Sequence, residues 1–111
     1  MVTSAQADAI YEKALDAINA VIRARKGVTR EQKEQARKRR TELTLNYIDQ
    51  AIADVEERTA KFQAFIDDMQ ALIESFDSGT KAASVRRLKR VVDEATMVIT
   101  AATGGNPGNQ T

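Results

Sequence analysis

Cysteine, histidine and tryptophan are all absent from this 111-residue chain, and it holds one proline and five glycines. Without cysteine there is neither a disulfide framework nor a thiol nucleophile. Without histidine there is no imidazole for a serine triad, for the usual zinc ligand sets or for the Glu-x-x-His sites of di-iron bundles. Aromatic residues make up 5% of the chain. None lies between residues 23 and 40, the most basic stretch, where stacking on a base would need one. No run of about 18 apolar residues occurs, so nothing reads as a membrane span. The opening MVTSAQADAI carries neither the basic nor the apolar region of a secretory signal. The expectation is a cytoplasmic protein without membrane contact.

Catalysis would have to rest on carboxylates, lysine, tyrosine or hydroxyls. The neighbouring carboxylates Glu56–Glu57, Asp67–Asp68 and Asp93–Glu94 point about 100° apart on a helix. They fall on polar faces, away from the apolar pocket that raises the pKa of a general acid. Gly104–Gly105 follows a helix and does not open one, so it is no phosphate loop. No catalytic residue, cofactor or metal ligand is expected, and the chain reads as a non-enzyme.

What is present is mostly helix-forming. Apolar residues reach 42%, but 18 of them are alanine, and Leu, Ile, Val and Phe number 24 of the 111 residues. That is just above the ~20% below which charged chains tend to be disordered. The core should be thin, with part of it supplied by another chain. Gly27, Gly79, Gly104–Gly105 and Pro107 punctuate long stretches of Ala, Glu, Lys, Arg, Gln and Leu. Three helices are predicted, at about 4–26, 30–77 and 81–103, in a single helical domain 1–103. Thr3 with Gln6 and Thr29 with Gln32 have the spacing of capping boxes. Residues 104–111, GGNPGNQT, read as a disordered tail.

The second helix carries an unbroken 3-4 repeat: Leu45, Ile48, Ile52, Val55, Thr59, Phe62, Ile66, Met69, Ile73 and Phe76. Such spacing predicts a coiled-coil-like seam. A helix over 30–76 would be about 70 Å long, against a radius of gyration near 13 Å for a compact domain of this size. Helix 1 has its own stripe (Ile10, Tyr11, Ala14, Leu15, Ala17, Ile18, Val21, Ile22), yet residues 30–42 offer only Ala36 opposite it. Either the chain bends back around 27–42, or helix 1 packs on the seam of a second copy. The second alternative is the expectation, because nothing in TREQKEQARKRRTE breaks a helix. The predicted fold is all-α, an N-terminal helix plus a long antiparallel helical hairpin, oligomeric through the seam.

A net charge of +1 hides strong segregation. Residues 1–22 carry −2, residues 23–40 carry +7, residues 41–79 carry −7 and residues 80–111 carry +3. The basic residues Lys81, Arg86, Arg87, Lys89 and Arg90 are expected to answer Asp67, Asp68 and Glu74 across a helix pair. Arg23, Lys26, Arg30, Lys33, Arg37 and Arg40 are the candidate contact residues for a partner or a phosphate. Their alternatives are a solvated face, or a rim met by Asp54, Glu56 and Glu57 of a neighbouring chain. An acidic protein ranks above nucleic acid as the ligand, because residues 23–40 contain no Asn for adenine readout and no aromatic residue. The function expected is a non-catalytic protein–protein interaction module of the inhibitor, immunity, adaptor or chaperone type. The alternative is an accessory nucleic-acid-binding protein using residues 23–40.

Overall fold

The computed structural model describes residues 2–76 and 82–102. Within them the chain forms four α-helices: α1 Ser4–Arg23, α2 Arg30–Gln50, α3 Val55–Glu74 and α4 Ala83–Ala102. The fold is all-α, as expected. Both capping boxes are formed. The Thr3 and Thr29 hydroxyls accept from the Gln6 and Gln32 backbone N–H groups, and the two Gln side chains accept from the cap N–H groups. Helix α1 stops at Arg23, short of the expected Lys26, and Ala24 caps it in an extended conformation. Gly27, with φ of +80°, supplies the left-handed residue later in the connection. The expected junction around Gly79 and the tail 104–111 lie outside the described residues.

The long helix expected over 30–77 does not form. Helix α2 ends at Gln50, and α3 begins behind Asp54, whose carboxylate accepts the Glu57 N–H at 2.8 Å. No residue from 50 to 54 is a helix breaker, so tertiary burial decides against local propensity. Turning back lays Phe62 and Phe65 against Tyr11, with ring centroids 5.9 and 4.8 Å apart. The stripe of α1, expected to need a second chain, is thereby covered by its own. The Arg58 guanidinium braces the turn, donating to the Ala53 carbonyl at 3.2 Å and to the Val2 carbonyl at 3.4 Å.

Each helix packs on its chain neighbours, and α4 closes the ring on α1. Cross-helix bonds fix the directions. Arg40 meets Asn19, Tyr47 meets Glu12 and Gln50 meets Asp8, so α1 and α2 are antiparallel. Asn46 bonds the Lys61 carbonyl and Arg39 reaches Asp68, so α2 and α3 are antiparallel too. The result is an up-down-up-down bundle. One core cluster draws on all four helices, including Tyr11, Ile18, Leu43, Phe65, Met69 and Leu88. The Cα radius of gyration, 14.4 Å, is that of a folded-back chain and not of a rod.

Candidate interaction surface

The ten-residue seam divides at the 51–54 turn. From Phe62 on, along α3 and just past its end, it points inward: Phe62, Ile66, Met69 and Phe76 are buried in the chain's own core and Ile73 packs against them. These five residues are therefore not an oligomer seam. On α2, the turn and the first residue of α3 it points outward, with Leu45, Ile48 and Ile52 exposed by 58%, 62% and 90%, and Val55 by 39%. The physical reason lies in α2, whose buried residues are Ala36, Leu43 and Gln50, at heptad spacing. Leu45 and Ile48 lie on the side away from that line.

The outer face of α2 can be traced in 3-4 steps through Arg30, Glu34, Arg37, Thr41, Leu45, Ile48 and Ile52. Two open depressions border it on the α1 side. One, of about 450 Å³, includes Leu15, Asn19, Thr44 and Leu45 in its lining. The other, of about 490 Å³, is lined by Asp8, Tyr47, Ile48, Ala51 and Ile52. Exposed apolar residues gathered in this way on a chain whose core is already filled mark an interaction surface more often than a core. Among the described residues the other large exposed apolar side chain away from this face is Met97 on α4, 73% exposed and on a different side of the ring.

The basic candidates separate into groups. Arg23, Lys26 and Arg30 are exposed at the end of the bundle formed by the α1–α2 connection, and Lys33 is half-buried beside them. Arg37 is exposed and paired with Glu34. Arg40 is turned sideways onto α1, where Nη1 donates to Asn19 Oδ1 at 2.9 Å. Its neighbour Arg39 was not singled out in the sequence, yet it pairs with Glu42 at 2.9 Å and with Asp68 at 3.4 Å. Among the described residues, no ion pair joins Arg86, Arg87, Lys89 or Arg90 to Asp67, Asp68 or Glu74, against expectation. Lys13 on α1 and Glu94 on α4 make the pair across that side of the ring, at 2.8 Å.

Antiparallel packing turns segmental charge into two poles. The 24–29 connection, the start of α2 and the start of α4 share one end, where a Cβ on Gly27 would come 3.2 Å from that of Ala82. Arg25, Lys26, Arg30, Arg86 and Arg87 are exposed there. Around the 51–54 turn the exposed charges are Asp49, Asp54, Glu56 and Glu57. Arg58, also at that end, is partly buried against backbone carbonyls.

Among the described residues three groups have displaced pKa values. Burial pushes the Tyr11 hydroxyl up. Desolvation raises that of Tyr47, and the charges of Asp8 and Glu12 and a hydrogen bond to Glu12 raise it further. Desolvation also holds Asp68 above the usual carboxylate range, opposed by Arg39 and reinforced by Glu42 and Asp67. None of the three sits in an enclosed cleft with a second reactive group. Among the described residues no cluster of three acidic ligands could hold a metal ion, and no helix is long and apolar enough to cross a membrane. No protein-family model, curated protein or solved structure matches the chain.

Proposed function

We propose that the protein is a non-catalytic protein–protein interaction module that docks through the outer face of α2. The observation that carries this reading is the apolar group Leu45, Ile48 and Ile52, more than half exposed on a chain whose core is closed without them. Basic residues continue the same face toward the start of α2. A fitting partner therefore presents an apolar stripe with an acidic flank, because complementary charge sets orientation and association rate while apolar burial holds the complex.

Affinity purification from the native source tests the reading, using wild type and an Ile48→Glu, Ile52→Glu variant, each with and without nuclease. A protein partner that survives nuclease and is lost in the variant is the expected result. Equal recovery on both baits contradicts it. The second reading, nucleic-acid binding, draws on the basic pole, the end of the bundle shared by exposed Arg25, Arg30, Arg86 and Arg87. It requires submicromolar oligonucleotide binding that weakens steeply with salt. The docking reading expects such binding to be weaker than ~10 µM at physiological salt.

A further inference from the structure

We infer that the occupant of the α2 face is a second copy of the same chain, laid antiparallel across a two-fold axis between Leu45 and Ile48. This rests on the docking reading above and names its partner. The face is apolar at its centre, net basic toward the start of α2, where Arg30 and Arg37 flank Glu34, and acidic around its end. A two-fold pairing places residue i of one copy against j of the other and j against i, so it needs a self-complementary face. With the axis at that midpoint, Leu45 lies opposite Ile48 of the second copy and Thr41 opposite Ile52. At 1.5 Å per residue, Arg37 sits about 14 Å out from the axis along α2. Helix α2 ends about 5 Å past the axis on its other side. The 51–54 turn passes that end with exposed Asp54, and α3 then runs back beside α2, so exposed Glu56 and Glu57 in its first turn flank the end of α2.

Each basic half thus approaches the partner's acidic end, and the contact occurs twice. A parallel pairing would bring Arg30, Arg37 and Lys38 of the two copies together, and like charge disfavours it. The residues involved are available. Ile48 and Ile52 are the most exposed of the chain's isoleucines, and Glu56 and Glu57 make no ion pair among the described residues. Arg37 is held by Glu34 of its own helix, an exposed contact of the kind that exchanges partners at little cost.

Sedimentation of the full chain decides the matter. Wild type is expected to be a dimer at ~100 µM, with association weakening as salt screens the flanking charges. Ile48→Glu is expected to be a monomer with unchanged helix content, since the side chain leaves no core. Arg37→Glu and Glu56→Lys should each weaken association by about tenfold. The double variant should restore it, because each reversed charge meets the other across the two-fold. A monomeric wild type overturns the inference, as does a dimer that Ile48→Glu leaves intact or a double variant no better than either single one. The two readings fail separately. A monomer whose captured protein is still lost on Ile48→Glu, Ile52→Glu contradicts only the two-fold pairing. A dimer and a captured protein both indifferent to those changes contradict the docking face itself.

Discussion

Tyr11 is fully buried, stacked on Tyr47 at a centroid distance of 5.3 Å, and its hydroxyl has no hydrogen-bond partner. An unmet buried hydroxyl costs about 1–3 kcal/mol. Tyr11→Phe keeps the ring contacts with Phe62 and Phe65 and removes that cost, so it should stabilise the protein by about 1 kcal/mol in chemical denaturation. Because burial raises the Tyr11 pKa, the folded state favours the neutral phenol. Its contribution is complete below the unfolded value of 10.0 and is lost as pH rises toward the folded one. Tyr11→Phe should therefore also shift alkaline unfolding to higher pH. Asp68 works in the same sense in the acid range. Its raised pKa means that stability present below the unfolded value of 3.8 is lost as pH rises through the folded pKa. Asp68→Asn should match or exceed wild-type stability at neutral pH despite losing the 3.4 Å contact from Arg39, and the gap should close as pH falls below 3.8. A neutral-pH loss in Asp68→Asn would mean that the Arg39 pair outweighs desolvation.

The helix-level arrangement turns on four residues, 51–54. Helix starts at Thr3 and Thr29 were legible because a hydroxyl and an amide three apart satisfy reciprocal orphan groups. The start at Asp54 had a related signal, an Asp with Glu57 three residues on. It was masked because Leu45, Ile48, Ile52, Val55 and Thr59 keep 3-4 steps straight through the turn. A periodicity reports which residues share a face; it does not report whether that face looks inward. On α3 the stripe meets Tyr11 through Phe62 and joins the common core. On α2 the inward line is Ala36, Leu43 and Gln50, too weakly apolar to be seen, so the outward stripe was the one that could be read. Gln50 shows the difficulty well: it is fully buried, and its amide donates to Asp8 at 3.0 Å. Asp54→Ala removes the cap at this junction and should cost about 1 kcal/mol in thermal or denaturant unfolding. An unchanged midpoint would show that Arg58 and the packing of Phe62 fix the turn without the cap.

At the scale of the whole molecule, the charge runs were legible as numbers but not as geography. The antiparallel ring gathers exposed Arg25, Lys26, Arg30, Arg86 and Arg87 at one end, with Glu31 and Glu74 beside them, and exposes Asp49, Asp54, Glu56 and Glu57 at the other. An apolar face between such poles is suited to a partner of matching order, and the second copy is one. The absence of cysteine makes the central claim, that the outer face of α2 is a docking surface, directly testable. A single cysteine is introduced at Ile48, or at exposed Ala83 at the start of α4, on the helix across the ring from α2. Its alkylation rate by a small neutral maleimide is then measured as protein concentration rises. The account predicts that the Ile48→Cys rate falls by about tenfold between ~1 µM and ~300 µM while the Ala83→Cys rate stays constant, as mass action covers the face. An Ile48→Cys rate that stays constant across that range, and is unaltered by a captured partner, would contradict it.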